Sequence, residues 1–249
     1  MTDERFLDRI GRKTIVTGHY GSGKTEFAVS LAMRIVADSN MPHGGKGEVH
    51  SHRELTSFAL IDLDIVNPYF RSRQEREMLE NAGIEVHGSA FDKESTAEIP
   101  ALGASLRAPL ENKTCRVIID TGGNDAGALV LNQFTKYFTD DETSVLAIVN
   151  ANRPDTSDIQ GALEHITAIE KITKLTVSYI VNNTHLLRET TAAEIIRGRA
   201  FCDNICEVSG KSFLCSCYPK GVVNPDELAG LSGNLMPLGL YMRPTWLDK

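Results

Sequence analysis

Hydrophobic segments of two kinds alternate along most of the chain. Short, continuous apolar runs are typical of strands buried on both faces, and between them lie longer stretches in which apolar residues recur at helical spacing. This alternation predicts an α/β protein with a single doubly wound, mostly parallel sheet and helices on both faces. The predicted strands cover residues 13–17, 57–62, 84–86, 115–120, 145–149, 176–181 and 212–217, and the predicted helices cover residues 24–37, 72–82, 126–137, 155–172 and 189–202.

The stretch 38–54 interrupts this rhythm. It is rich in Gly and His and poor in apolar residues, so we predict a flexible insertion between the first helix and the second strand. Its histidines could bind a transition metal, although solvated loop histidines are commoner. The three are His43, His50 and His52.

The last residues of the chain also depart from the pattern. Residues 218–249 contain several Pro and Gly, and we predict a tail that wraps the surface with Trp246 as its anchor. No composition shift divides the chain elsewhere. One domain over residues 1–249 is therefore the simplest interpretation.

Composition excludes several classes of function. The formal net charge of -7, without a long basic stretch, argues against general binding to nucleic acid or anionic membranes. No apolar run is long enough to span a bilayer, and the charged residues 2–5 lack the order of a secretory signal. We therefore expect a cytoplasmic protein whose partners are small molecules and other proteins.

The segment 17–26, TGHYGSGKTE, carries the spacing of a phosphate-binding loop, Gly-x₄-Gly-Lys-Thr, between a predicted strand and a predicted helix. Glycines let backbone N–H groups approach an anion, and the helix presents its positive end to the same phosphates. We expect Lys24 to reach the terminal phosphates and the Thr25 hydroxyl to bind Mg²⁺. The loop residues expected to contact nucleotide are Gly18, Tyr20, Gly21, Ser22, Gly23, Lys24, Thr25 and Glu26.

Carboxylates for magnesium and for the attacking water are expected at the ends of neighbouring strands, where ligands of open α/β sheets bind. Asp120 ends one strand and fits a magnesium ligand, and Gly123 follows at the spacing that lets its N–H contact a γ-phosphate. Asp62 and Asp64 follow another strand two residues apart. We expect Asp64 to bind magnesium and to position or activate water. Asp62 either supports the magnesium ligands without binding the ion or is a solvated carboxylate at the strand end.

The residues after a late strand bear on the choice of base. Guanine-specific proteins of this kind carry Asn-Lys-x-Asp there, whereas this chain has Asn182 and Asn183 followed by Thr184 and His185. Without a carboxylate, an Asn amide that both donates and accepts suits the adenine edge. ATP is thus expected rather than GTP, the alternative being that both asparagines are turn residues.

Through these motifs the chain resembles the MinD/ParA/CobQ-type P-loop ATPases of the SIMIBI class, from about Lys13 to His185. The resemblance rests on the phosphate loop, the DLD after the second strand, the DTGG and the NN. It implies a homodimer around nucleotide and ATP hydrolysis that switches partner binding or loads a metal. The family's signature lysine, five residues before the invariant lysine, has no counterpart here: His19 occupies that position, followed by Tyr20 in place of the usual glycine.

Three arginines lie close to the expected site. Arg71 and Arg73 could stabilise transition-state charge as arginine fingers, or they could simply open an exposed helix. Arg153 follows another strand, and its role is open from the sequence.

Four cysteines lie within sixteen residues, in a CxxxC followed by a CxC. They are Cys202, Cys206, Cys215 and Cys217. Thiolates at such spacing could hold a soft metal, but the gaps match none of the usual CxxC pairs, and small buried hydrophobes would give the same pattern.

The motifs favour a magnesium-dependent ATP-binding protein, a slow ATPase that switches the activity or maturation of a client protein. One alternative is an ATP-dependent kinase or ligase for a small metabolite, with an acceptor pocket drawn from residues 88–112 or His185. A GTP-dependent metallochaperone is another, and an ATP sensor that hardly hydrolyses is a third.

Overall fold

The computed structural model describes residues 5–39, 55–63, 76–88, 106–123, 129, 131–156 and 158–242. Several predictions fall outside these ranges. They concern His43, His50, His52, Asp64, Arg71, Arg73, Trp246, and most of the segment 88–112.

Eight parallel strands form one sheet in the order β3-β2-β4-β1-β5-β6-β7-β8. This confirms the predicted fold class. The strands are β1 (Lys13–Thr17), β2 (Ser57–Asp62), β3 (Ile84–Gly88), β4 (Cys115–Asp120), β5 (Thr143–Val149), β6 (Tyr179–Asn182), β7 (Ser212–Pro219) and β8 (Asn234–Leu238).

Helices connect the strands. They are α1 (Arg5–Asp8), α2 (Lys24–Ser39), α3 (Arg76–Asn81), α4 (Ile159–Thr173) and α5 (Ala192–Ser209); residues 106–111 are also helical, and short 3₁₀ turns lie at Thr135–Tyr137, Pro154–Thr156, Leu187–Glu189 and Pro225–Leu228. In the described part of the chain, none of the helices has the length and apolar character needed to cross a membrane.

Capping residues explain where two helices differ from the predicted bounds. The helix predicted from residue 155 begins at Ile159, because the Asp158 side chain accepts the Gly161 N–H and caps it. The helix predicted to end at Cys202 continues to Ser209 and stops at Gly210, whose φ of 71° is left-handed.

Apolar layers cover both faces of the sheet. One layer packs α2 against the strands with Phe27 and Leu31, and the other packs α4 and α5 with Ile166 and Ile205. Because side chains alternate along each strand, odd and even positions of a strand face different layers. The carboxyl ends of β1, β2 and β4 meet at the start of α2.

Residues 234–238 differ from the predicted surface tail. They form β8, which extends the sheet beyond β7, with Tyr218 paired to Pro237 and Pro219 to Leu238. Met236 and Leu238 are fully buried in the layer that contains α2. The burial of these apolar side chains, rather than a strong alternating pattern, explains why the segment joins the sheet.

Candidate functional site

The loop between β1 and α2 depends on its glycines. Gly18, Gly21 and Gly23 have φ values of 148°, 74° and 82°, which side chains rarely adopt. A Cβ on Gly18 would stand 2.4 Å from the carbonyl oxygen of Ile148. The helix starts directly behind the loop, since the Phe27 N–H donates to the Gly23 carbonyl at 3.0 Å. The backbone therefore has the turn into a helix N-terminus that a bound anion requires.

Lys24 and Gly123 come together at this loop. The Lys24 side chain is buried, and its Nζ donates to the His19 carbonyl at 3.1 Å. A Cβ on Gly123 would lie 2.7 Å from Lys24 Nζ and 2.8 Å from both the Gly18 oxygen and the Tyr20 nitrogen. The DTGG segment after β4 thus touches the loop at the residue that the sequence singled out.

Two carboxylates lie side by side at the carboxyl ends of β2 and β4. Asp62 and Asp120 are register partners and are 3% and 1% exposed. Two residues earlier on each strand, Leu60 and Ile118 pack in the layer of α2, so period two places both carboxylates on the same face as that helix. Asp62 is therefore not the solvated residue that the sequence allowed.

The donor set at this edge fits a hard divalent cation. Thr25, a half-buried residue, opens α2 with a hydroxyl oxygen, and Asp120 and Asp62 contribute carboxylate oxygens, the ligand type that Mg²⁺ prefers.

The two asparagines at the carboxyl end of β6 connect neighbouring elements through hydrogen bonds. Asn182 Nδ2 donates to the Ile195 carbonyl at 2.9 Å and to Ser216 Oγ at 3.2 Å, which joins β6 to α5 and β7. Asn183 Nδ2 donates to the Ser22 carbonyl at 2.6 Å and so fixes the loop. Both residues are fully buried. These contacts differ from the expected contact with a base, and the preference for adenine stays a prediction.

His185 is a loop neighbour that the sequence did not identify as one. Its Nδ1 accepts the Leu187 N–H at 3.2 Å, so in the neutral ring the proton resides on Nε2. Nε2 would be 3.2 Å from a Cβ on Gly23. Burial, helped by the positive charge of Arg153, lowers the pKa of His185 to about 4. The ring is therefore a neutral N–H donor facing the loop.

Three buried polar atoms around the loop find no hydrogen-bond partner within the described ranges. They are Ser22 Oγ, Asn183 Oδ1 and His185 Nε2. Buried polar groups are normally satisfied, so orphaned atoms grouped at one loop favour a ligand or ordered water there.

Arg153 lies on the loop from the turn after β5. Its Nε donates to the Gly21 carbonyl at 2.7 Å. The side chain is exposed. The sequence placed Arg153 near the site but gave it no partner, because the contact joins residues that are 132 positions apart.

Glu26 turns away from the loop. Its carboxylate accepts the Tyr241 N–H at 2.9 Å and the Met242 N–H at 2.8 Å. Ser30 Oγ donates to it at 3.3 Å. The residue therefore ties the segment after β8 to α2, which differs from the expected nucleotide contact.

The two residues that depart from the family pattern lie on the outer part of the loop. His19 Nδ1 is 3.0 Å from the Tyr20 carbonyl, and its ring meets that of His165 on α4 edge to face at 5.1 Å. Tyr20 is 63% exposed. Its ring thus stands open to solvent beside the loop.

The clustered cysteines are split between the two apolar layers. Cys215 and Cys217 pack in the layer of α2, whereas Cys202 and Cys206 pack in the layer of α5. Burial raises the pKa of Cys202 and of Cys217 well above the usual thiol value, which disfavours the thiolate that metals bind. Across the described ranges, no three His, Cys, Asp or Glu side chains form a group that could hold a metal.

No protein-family model and no curated protein matches the chain. A nucleotide-binding protein from Archaeoglobus fulgidus, solved in complex with ADP and with Co, is similar over 90% of this chain and 87% of that chain, at 14% identity and a TM-score of 0.44. The signal recognition particle receptor FtsY from Elizabethkingia anophelis is similar over 70% of this chain and 50% of that chain, at 17% identity and a TM-score of 0.42. Likenesses this distant assign no function to the chain.

Proposed function

We propose that this protein is a magnesium-dependent ATP-binding protein and a slow ATPase whose nucleotide state switches its interaction with a client protein. One observation carries the proposal: the glycine loop opens α2 directly beside Lys24, Gly123 and the paired carboxylates of Asp62 and Asp120. Cation, helix N-terminus and carboxylates are the parts that phosphoryl transfer needs.

We propose a reaction that uses these residues together with Asp64 of the same motif. We propose that Thr25, Asp120 and Asp64 would hold Mg²⁺, with Asp62 as the carboxylate beside Asp120. The ion when bound neutralises part of the phosphate charge. A water oxygen forms a bond to the γ-phosphorus while the bond to the β,γ-bridging oxygen breaks, giving ADP and inorganic phosphate. The water proton passes to a carboxylate, for which we propose Asp64. Lys24 and the loop N–H groups stabilise the charge on the phosphate oxygens.

The switch is proposed to run through Gly123. Because Gly123 packs closely against Lys24 and the loop backbone, we propose that a γ-phosphate bound beside Lys24 contacts the DTGG segment. Hydrolysis removes contacts that exist only with the triphosphate, and the segment can then relax. Cytoplasmic location, the client and a homodimer around nucleotide belong to the same proposal, the last through the resemblance to MinD/ParA/CobQ-type ATPases.

Equilibrium binding of ATP, ADP and GTP with and without Mg²⁺, with phosphate release from the same samples, tests the function. Lys24→Ala should weaken ATP binding by about 10- to 100-fold, because it removes a charge-assisted contact to phosphate. Lys113→Ala is the matched control, since Lys113 is exposed just before the amino end of β4, at the opposite edge of the sheet. Wild-type protein that binds no nucleotide would refute the proposal, and a preference for GTP would refute its choice of base.

A further inference from the structure

The Arg153 side chain lies against the glycine loop and donates a hydrogen bond to it. Its Nε donates to the Gly21 carbonyl at 2.7 Å, and its guanidinium carbon would be 3.1 Å from a Cβ on Gly21. Because Gly21 has no Cβ, the guanidinium has room beside the loop.

The turn that carries Arg153 is organised by a buried residue. Asn150, 1% exposed, accepts the Asn152 N–H on its side chain at 2.9 Å and the Arg153 N–H on its carbonyl at 3.1 Å. Thr156 Oγ1 donates to the same carbonyl at 3.0 Å, and the Asn150 side chain reaches the His185 carbonyl at 3.4 Å. The arginine therefore starts from a rigid backbone.

The guanidinium of Arg153 has N–H groups that donate to no acceptor within the described ranges. Within the described ranges, Nε donates to Gly21, while Nη1 and Nη2 donate to no protein atom. The side chain is exposed beside a loop whose three orphaned polar atoms favour a ligand. A guanidinium with two unused N–H₂ groups is suited to phosphate oxygens, which it can bind in a bidentate way.

We propose that Arg153 is a second phosphate-binding cation of the loop, supplied by the same chain that holds the nucleotide. The proposal rests on the proposed function and deepens it. Arg153 brings a permanent positive charge to the loop from within the chain. The phosphates then meet Lys24 and Arg153 in one subunit.

A charge series of ligands tests this role. Binding of AMP, ADP and a non-hydrolysable ATP analogue is measured at low and high salt for wild type, Arg153→Ala, Arg153→Lys, Lys24→Ala and Arg107→Ala. Arg107 is the matched control, since it is an exposed arginine on the helical residues that lead into the amino end of β4.

We expect Arg153→Ala to weaken binding of the ATP analogue by about 10-fold or more and that of AMP far less, because the loss scales with phosphate charge. The difference should shrink at high salt, and Arg153→Lys should recover part of it. Arg107→Ala should bind like wild type. An equal loss for AMP and the ATP analogue, or no loss, would show that Arg153 only braces the loop and would overturn the proposal.

Mixing two variants that bind weakly tests whether the cation acts within one chain. Arg153→Ala and Lys24→Ala disable the same loop in our proposal, so the mixture should bind no better than its parts. Recovery of binding would show that Arg153 serves a partner's loop and would overturn the assignment within one chain. If wild type binds no nucleotide, the proposed function itself fails; if Lys24→Ala loses binding and Arg153→Ala does not, only this inference fails.

Discussion

At the scale of single residues, His185 shows how tertiary packing fixes a protonation state beside the loop. A loop histidine near pH 7 is ordinarily divided between neutral and charged forms. Here burial and the charge of Arg153 lower the pKa of His185 to about 4. Nδ1 accepts a hydrogen bond from the Leu187 N–H. The ring therefore keeps its Nε2 proton directed at Gly23 through the physiological range.

This lowered pKa has a consequence for stability. The folded pKa of about 4 lies below the ordinary 6.5, so the unfolded chain binds more protons between these values and stability falls as the pH drops through them. Between about pH 7.5 and about pH 5 we expect His185 to contribute roughly 2 kcal/mol to this loss.

Urea denaturation at both pH values measures the effect in wild type and His185→Gln. The variant should lose less stability on acidification, whatever its stability at neutral pH. Lys113→Ala, an exposed change before β4 that removes no histidine, is the control and should behave like wild type. Equal losses in wild type and His185→Gln would contradict the assignment.

Local spacing could identify some site residues but not others. Lys24 and Gly123 follow from short motifs whose geometry is set by a strand, a turn and a helix start. Arg153 and His185 could not be assigned to the loop, because their contacts depend on the turns after β5 and β6 reaching over β1. No periodicity in the sequence encodes that approach.

At the scale of elements, α5 is locked onto β6 through a glycine. A Cβ on Gly198 would stand 2.3 Å from Thr184 Oγ1 and 2.4 Å from Asn182 Oδ1. Asn182 and Thr184 lie at the end of β6, next to the residues that hold the loop. The fit of helix to strand therefore has no room for a methyl group.

Gly198→Ala should destabilise the protein by roughly 1–3 kcal/mol, because overpacking exceeds the gain of about 1 kcal/mol that alanine brings to a helix. Gly230→Ala is the control, since nothing lies within 4 Å of its added methyl. The free energy of unfolding from urea titration measures both. A Gly198→Ala protein as stable as wild type would mean that α5 can shift away from β6.

The helix ends show what capping signals can and cannot predict. Thr191 and Glu194 form a capping box at the start of α5, three residues inside the helix predicted from residue 189. The predicted C-terminus at Cys202 lies seven residues before the observed end at Ser209, because buried cysteines are compatible with the interior of a helix as well as with its end. Gly210 marks the true end, as helix-terminal glycines do.

At the scale of the whole molecule, the last described residues are hydrogen-bonded to α2. Glu26 accepts the N–H groups of Tyr241 and Met242, and Ser30 Oγ accepts that of Gly239 at 3.0 Å. Glu26 follows Thr25 directly. The last described residues therefore contact the neighbour of the proposed magnesium ligand on α2.

Glu26→Ala should release this segment, because it leaves two backbone N–H groups without their charged acceptor, a loss of about 1.5–3 kcal/mol. Amide hydrogen exchange at Tyr241 and Met242 should speed up by about tenfold or more. Glu227→Ala, an exposed residue near β8, is the control and should leave this exchange unchanged. Unchanged exchange in Glu26→Ala would show that β8 packing alone holds the segment.

The alternation of apolar runs and helical stretches was enough to predict the parallel sheet and its first seven strands. It missed β8, because Asn234–Leu238 is short and contains a proline, and its membership depends on α2 and β7 rather than on its own pattern. The same limit applies to Glu26, whose position in the motif indicates a nucleotide contact, whereas the backbone N–H groups that it accepts lie over 200 residues away.

Pro237 also sets the boundary of the sheet. β8 is the last strand of the order and pairs with β7 on one side. A proline has no N–H to offer, and within sheets it is found on edge strands with its nitrogen towards solvent. Among the described strands, the outer edge of β8 is thus a poor template for another strand, which disfavours edge-to-edge aggregation through β8.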